Sequence, residues 1–211
     1  MTTSYDDRTR RGPRKAGTRG VPRAERERQI LDVAGREFAS RGYHAVSMDD
    51  VAERAGVSKP LVYSYFRSKE GLYLAYVERA GRELLERLRR AADPSAAPDE
   101  RLRDGIAEFL AFVAERRDRW AVLYAEAAAR GGPLAGRIAE LRARIVGIVE
   151  RLLADTHRWR PTRARTDRGG QCPPLVGAGE SLANWWLNHP EVEAAPLADC
   201  LLAYGGTRAS T

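Results

Sequence analysis

The residues best suited to chemistry lie together near position 60, and they offer hydrogen bonds and charge. Lys59 supplies a cation, Tyr63 and Tyr65 supply hydroxyls on aromatic rings, and Ser64 between them is small enough for close approach. Such side chains suit contact with phosphates and with the edges of bases in the major groove of DNA, which accepts an α-helix. Phe66 is apolar, and we expect it to pack inward.

Signals for catalysis or metal binding are weak by comparison. The sequence has no phosphate-cradling glycine loop, no His-Glu-x-x-His pair and no nucleophile elbow. Cys172, Cys200 and His189 match no common zinc-ligand spacing. We therefore expect no catalytic residue, no metal and no cofactor, and an enzyme or metal-binding protein is only a remote alternative.

The elements that must position the tyrosines have the order of a helix-turn-helix. A stripe of Ile30, Ala34 and Phe38 predicts a first helix. A second, short helix is expected to start at the cap Ser47, and Gly56 suits the turn after it. Ser58 is expected to cap the third helix, from Lys59 to about Phe66. Two short helices across a tight turn form a helix-turn-helix, whose second helix enters the major groove.

Residues 47–72, SMDDVAERAGVSKPLVYSYFRSKEGL, resemble the DNA-binding signature of the TetR/AcrR family of transcriptional regulators. The family pattern opens the second helix with Ser or Thr, has Ala-Gly-Val-Ser at the turn, and ends in Tyr-x-Tyr-Phe followed by Lys-Glu. Pro60 and Ser64 depart from the family's usual residues, which affects the operator sequence and not the binding mode. The match spans roughly residues 24–72, about a quarter of the chain.

The resemblance implies a homodimer that binds a palindromic site in double-stranded DNA and leaves it when a small molecule binds the C-terminal domain. It also implies which positions contact DNA. Together with the spacing, it assigns this role to Ser47, Ser58, Lys59, Leu61, Tyr63, Ser64, Tyr65 and Lys69.

Residues 1–23 read as a flexible basic arm, with seven basic and two acidic side chains. Glycine and proline keep such a chain extended. Arg10, Arg11 and Arg14 are candidates for entry into a narrow A·T-rich minor groove. A purely electrostatic tail is the alternative, and both interpretations stay open.

The C-terminal part has more aromatic residues than a helical bundle requires. Phe109 belongs to the core stripe of its helix, and Phe112 lies about 100° from the centre of that stripe, taking ~100° per residue. With Trp120 and Tyr124, these residues are candidates to line an apolar cavity for a small-molecule effector of unknown identity. Ordinary core packing is the alternative.

The last two predicted helices suit dimerisation. Their apolar stripes combine small residues, which permit close approach, with tryptophan, which is favoured at interface cores. The candidate dimer contacts are Leu175, Gly179, Leu182, Trp186, Leu197 and Leu201.

Together these patterns predict an all-α protein of about nine helices. We expect a flexible basic arm (1–23), a three-helix helix-turn-helix domain (24–70) and a helical effector-binding and dimerisation domain (71–211). The composition, 43% hydrophobic and 31% charged with a net charge of +7, is globular and basic, and we expect a cytoplasmic protein without a membrane span. A homodimeric repressor is the preferred function. The alternatives are a TetR-like activator and an architectural DNA-binding protein without an effector.

Overall fold

Every regular element in the described part of the chain is an α-helix. The computed structural model describes residues 20–128, 133–154 and 174–204, and these ranges contain nine helices. In chain order they are α1 (Arg23–Ala45), α2 (Met48–Arg54), α3 (Lys59–Phe66), α4 (Lys69–Ala91), α5 (Pro98–Glu115), α6 (Arg117–Ala128), α7 (Pro133–Ala154), α8 (Pro174–Leu187) and α9 (Ala194–Tyr204). The predicted all-α fold is confirmed.

Local capping signals set the start of α2. The hydroxyl oxygen of Ser47 accepts a hydrogen bond from the Asp50 amide at 3.1 Å, and the Ser47 amide donates to Asp50 Oδ2 at 2.8 Å. These bonds from Ser47 hold the pKa of Asp50 below its usual value. The reciprocal pair is a capping box, which satisfies two amides that have no partner inside the helix.

The start of α3 differs from the prediction. The hydroxyl of Ser58 makes no cap hydrogen bond, although its backbone carbonyl accepts from the amides of Leu61 and Val62. Pro60 lies in the first turn and has no amide hydrogen to satisfy, so the helix depends less on a side-chain cap. Ser58 is therefore the N-cap residue of α3 through its backbone carbonyl, and its exposed hydroxyl takes no part in the cap.

Helix α4 is shared by the N-terminal and C-terminal parts of the chain. Its first half buries Tyr73 and Tyr76, and its second half buries Leu84 and Leu88. It packs against α1 and α3 on one side and against α5, α6 and α7 on the other. A movement of α4 would therefore displace helices in both parts of the chain.

The ring of Tyr76 lies directly on Gly35 of α1. A Cβ atom at position 35 would overlap the distal atoms of that ring. The Tyr76 hydroxyl donates to Asp118 Oδ2 on α6 at 3.0 Å, so the ring cannot turn away without losing this bond. Burial, with Asp118 beside the phenol, raises the pKa of Tyr76 and keeps it a donor. One side chain thus joins α1, α4 and α6.

Charged contacts surround this junction. Arg79 of α4 forms an ion pair with Asp32 of α1 and donates to the backbone carbonyl of Arg28 at 3.2 Å. Further along α4, Glu83 binds Arg119 of α6 and, at 3.1 Å, Nε of Arg116. These contacts join α4 to α1, to α6 and to Arg116 between α5 and α6, so they help to orient the helices around Tyr76.

Replacing Gly35 with alanine should destabilise the protein by about 1–3 kcal/mol, the usual cost of overpacking a filled core. The added methyl has to displace a buried ring that Asp118 holds in place. Urea denaturation would measure the free energy of unfolding.

Gly147→Ala is the matched control, because nothing lies within 4 Å of a Cβ built at this helical glycine. It should be neutral or stabilising by up to about 1 kcal/mol, since alanine favours a helix over glycine. Equal effects of the two substitutions would contradict the tight contact at Gly35.

Candidate nucleic-acid interface

Helix α3 buries one face and exposes the other. Val62 and Phe66 are buried in the core of the N-terminal part. Lys59, Tyr63 and Ser64 are exposed, and the ring of Tyr63 keeps 41% of its accessible surface. The remaining two candidates on this helix, Leu61 and Tyr65, are half-buried. The structure thus brings the predicted contact residues of α3 to one accessible surface.

Lys59 has a partner that the sequence did not reveal. Its Nζ lies 2.8 Å from Oδ1 and 2.9 Å from Oδ2 of Asp49, in the first turn of α2. The bond to Asp49 raises the pKa of Lys59. The ammonium also lies 6.0 Å from the centroid of the Tyr63 ring. The exposed face of α3 therefore carries a neutralised cation beside an aromatic hydroxyl.

Lys69 is held where the first and fourth helices meet. Its ammonium donates to the backbone carbonyl of His44 at 3.1 Å and lies 4.5 Å from the centroid of the Tyr43 ring. An ammonium has three donors, and these contacts leave capacity for an external anion. Ser47, at the start of α2, is also exposed.

Two other arginines of the N-terminal part, Arg41 and Arg54, form ion pairs within the protein instead of remaining available to an external anion. Glu37 is buried, and it forms ion pairs with Arg54 at 3.0 Å and with Arg41 at 3.2 Å. A buried carboxylate depends on its partners, so these two cations serve the fold.

The beginning of α1 contacts the candidate interface. The guanidinium of Arg23 lies 5.0 Å from the centroid of the Tyr65 ring, a cation–π distance. The predicted arm residues Arg10, Arg11 and Arg14 lie outside the described residues, so their role stays a prediction.

A second candidate site is an apolar cavity of about 80 Å³ in the C-terminal part. Phe109 and Trp120 line it and meet edge to face, with ring centroids 5.3 Å apart. Helices α4, α5, α7, α8 and α9 supply the rest of the wall, and Glu180 is the one charged residue among the lining residues.

Of the two phenylalanines of α5 that are candidates to line the cavity, the structure places one there. Phe112 is fully buried, lies 5.8 Å from the guanidinium of Arg87, and does not line the cavity. Phe109 is half-buried and does line it. Helix α5 is covered on several sides, so an off-stripe aromatic reaches a second core surface. Tyr124 belongs to α6, but its side chain lies outside the described residues.

Most of the predicted dimer contacts face the protomer's own interior. Leu175, Gly179 and Leu201 line the apolar cavity. Leu197 is buried, and so is Trp186, whose indole Nε1–H donates to the Val192 carbonyl at 2.7 Å. These five residues are covered by their own protomer, which argues against the dimer contacts predicted for them. Leu182 is half-buried.

The opposite face of α8 and α9 is the accessible one. Trp185 keeps 43% and Tyr204 keeps 60% of their accessible surface, and Ser181 and Cys200, each four residues earlier, are exposed as well. The Trp185 ring stacks on His189 at 4.0 Å between centroids. An exposed tryptophan on a helix that has almost no charge is typical of an interaction surface.

The described residues hold neither a metal-binding cluster nor a membrane span. No three His, Cys, Asp or Glu side chains among them are grouped so as to hold an ion. None of the described helices combines the length and apolar character needed to cross a bilayer. Cys172 lies outside the described residues, so the Cys172, Cys200 and His189 set has no described geometry.

Two family models match the chain. The model "Bacterial regulatory proteins, tetR family" matches residues 30–76, which include α2 and α3. The model "Tetracyclin repressor-like, C-terminal domain" matches residues 98–204, from α5 to the end of α9.

Similar proteins span most of the chain. The HTH-type transcriptional activator FasR of Mycolicibacterium smegmatis is 30% identical over 198 residues, covering 92% of this chain and 88% of that protein. The crystal structure of a TetR-like transcriptional regulator from Rhodococcus sp. RHA1 is 35% identical with a TM-score of 0.73, covering 88% of this chain and 96% of that one.

A more distant structure shares the fold. FadR from Bacillus subtilis, solved in complex with stearoyl-CoA, is 20% identical with a TM-score of 0.70 and covers 84% of this chain and 96% of that one.

Lys59→Gln should weaken binding to duplex DNA about equally across sequences and reduce the salt slope of log affinity by less than about one, because Asp49 already partly neutralises the ammonium. The substitution removes the cation and leaves Asp49 unpaired at the interface. Fluorescence anisotropy at several salt concentrations would measure both. Arg103→Gln, an exposed arginine of α5, is the control and should change neither.

Asp49→Asn should act in the opposite direction, because it frees the Lys59 ammonium for a phosphate. The same titrations should give tighter binding and a steeper salt slope. Glu53→Gln removes the same charge from an exposed position of α2 and is the matched control. If Glu53→Gln gave the same gain, the effect would be one of net charge and the ion pair would have no part in it.

Proposed function

The chain belongs to the TetR family of bacterial regulatory proteins, and we propose that it is a homodimeric repressor that an apolar ligand releases from a palindromic operator. Family membership makes it a DNA-binding transcriptional regulator and not an enzyme. The observation that carries the proposal is the two-faced helix α3, which is anchored by Val62 and Phe66 and exposes Lys59 and Tyr63.

In the proposed complex, α3 lies in the major groove. The exposed hydroxyls of Tyr63 and Ser64 are within reach of base edges or phosphates, and Leu61 and the half-buried Tyr65 flank them. Ser47 and Ser58 at the starts of α2 and α3, and the cations of Lys59 and Lys69, serve the phosphate backbone. The two copies of α3 in a dimer would meet successive major grooves, ~34–36 Å apart.

The outer face of α8 and α9 is the proposed dimer surface. It carries Trp185, Ser181 and Tyr204, and Glu180, the one charged residue of α8, is paired with Arg142 of the same protomer. Interface cores are depleted in charge and enriched in aromatic residues, which supports this assignment.

The proposed ligand has a long apolar chain. The lining of the cavity is almost wholly apolar, which supports this class, and so does the stearoyl-CoA bound by FadR from Bacillus subtilis. At about 80 Å³ the cavity is smaller than the roughly 150 Å³ that holds benzene. A chain could enter only if the helices around it move apart, and α4 is one of them through Leu84 and Leu88.

Ligand and DNA then compete through α4. If α4 moves, Tyr76 carries α1 with it, and the two copies of α3 lose their spacing. To change occupancy from nearly full to nearly empty, the ligand must prefer the released state by roughly 5.5 kcal/mol.

Activation is the second candidate, and a specific observation favours it. FasR of Mycolicibacterium smegmatis, an activator by name, is similar over 92% of this chain. The same DNA-bound dimer would activate where its site lies beside a promoter and would repress where it overlaps one. A DNA-binding protein without an effector would need only the exposed face of α3 and no ligand cavity.

Selection of bound sequences from a random duplex pool should recover a palindrome whose half-sites lie about one helical turn apart, because a two-fold dimer requires it. Transcription from genes beside the recovered sites, with and without this chain, separates the two signs of regulation. Unrelated sequences in the selected pool would contradict operator binding. Lower expression in the presence of the chain would contradict activation.

Trp185→Asp should convert dimers to monomers, because it places a charge in the proposed dimer surface. Analytical ultracentrifugation would measure the change in mass. Tyr63→Asp places the same charge on an exposed aromatic of α3 and should leave the dimer intact. A Trp185→Asp protein that sediments as a dimer would remove the outer face of α8 from the interface.

A further inference from the structure

A charged groove lies beyond the apolar cavity. A smaller cavity of about 40 Å³ shares Leu84, Trp120 and Glu180 with the first and adds Leu141 and Arg142. Leu141 also lines a groove of about 190 Å³ between α4 and α7. These three spaces therefore follow one another from the interior to the surface.

The groove is rich in arginine. Its remaining lining residues are Glu78, Arg82, Arg137, Glu140 and Arg144. Arg137 is engaged, at 2.6 Å from Glu78 and 3.4 Å from Glu140. Arg82 and Arg144 are exposed, and neither forms an ion pair with another residue in the part of the chain that the structure describes. Two guanidinium groups, one from each helix, are thus available to an anion.

The Leu141 side chain separates the groove from the apolar space. A Cβ at Gly81 of α4 would overlap the Leu141 methyl groups, so α4 and α7 approach closely here. The leucine is a flexible side chain at the boundary between an apolar and a charged compartment. A ligand that occupied both compartments would have to pass it.

The wall of the smaller cavity, next to Leu141, contains a hydrogen-bond donor that no described residue satisfies. Arg142 forms an ion pair with Glu180, but its Nε–H is buried and has no hydrogen-bond partner among the residues that the structure describes. Burial, opposed by Arg142, raises the pKa of Glu180. A buried donor without a partner is costly and favours a ligand that brings an acceptor, such as a carbonyl oxygen.

We propose that the α4–α7 groove binds the phosphate-bearing head of a ligand whose apolar chain occupies the cavity. This inference rests on the proposed function, because it concerns the same effector. Arginine matches phosphate with paired, charge-assisted hydrogen bonds, and Arg82 and Arg144 present two such groups at the mouth of an apolar path. The combination of a chain and a phosphate occurs in acyl-CoA thioesters and in lipid phosphates.

The position of the groove gives the head group a regulatory role. Arg82 belongs to α4, two turns beyond Tyr76, and Arg144 belongs to α7. A phosphate bound by both arginines would pull on α4, which packs on α1 through Tyr76. The phosphate-bearing head and the apolar chain of the ligand would therefore both act on α4.

Isothermal titration calorimetry with dodecanoyl-CoA, dodecyl phosphate and dodecanoate tests the proposal. The wild-type protein should bind at least one phosphate-bearing probe about tenfold or more tightly than dodecanoate. Arg82→Gln/Arg144→Gln should abolish this preference and leave dodecanoate affinity unchanged. Tight binding of dodecanoyl-CoA alone would identify a CoA thioester, and tight binding of both phosphates would identify the phosphate group itself.

The control is Arg89→Gln/Arg151→Gln, which removes one exposed arginine from each of the same two helices away from the groove. It should keep the preference. Equal wild-type affinity for all three probes, or a preference that survives Arg82→Gln/Arg144→Gln, would overturn the groove while dodecanoate binding still supported the apolar ligand. If no probe bound or released DNA, both the groove and the proposed ligand class would fall.

Discussion

The contact between the Tyr76 ring and Gly35 sets the geometry on which the other parts of the molecule depend. Close packing at this point fixes the angle between α1 and α4, and the bond from Tyr76 to Asp118 adds α6 to the same joint. Packed interiors deform little, so a displacement of α4 is passed on and not absorbed. Beyond the joint, Leu84 of α4 lines the apolar cavity. One helix therefore links the apolar cavity, where we propose that a ligand binds, to the proposed DNA-contacting surface.

The helix-turn-helix could be predicted from sequence because its signals are local. A cap such as Ser47 and a turn glycine such as Gly56, with φ of 66°, act within a few residues, so they mark helix ends without knowledge of the fold. The alternation of buried Val62 with exposed Tyr63 follows from the helical period alone. The partner of Lys59 could not be predicted, since Asp49 lies ten residues away across a turn, and an acid in a first turn already suits the helix dipole.

The C-terminal helices were harder to interpret because periodicity identifies faces and does not say what covers them. Helix α8 has apolar residues on both sides, with Trp185 and Trp186 adjacent, and one charge to distinguish them. The sequence pattern therefore could not identify which face of α8 the protomer itself covers. The absence of Phe112 from the cavity lining could not be predicted for the same reason, since several helices cover α5. Cavities and ion pairs formed by distant helices, such as Arg142 with Glu180, leave no signal in spacing.

If Lys59 contacts phosphate as proposed, its pairing with Asp49 also bears on how fast a target is found. A regulator in a cell spends much of its time on the millions of sequences that are not its site, held there by phosphates and counterion release. An ammonium that already has a carboxylate partner gains less from a random phosphate than a free one would. In the proposed complex, each encounter with irrelevant sequence would therefore be shorter, and the molecule would return sooner to sliding and hopping along the genome.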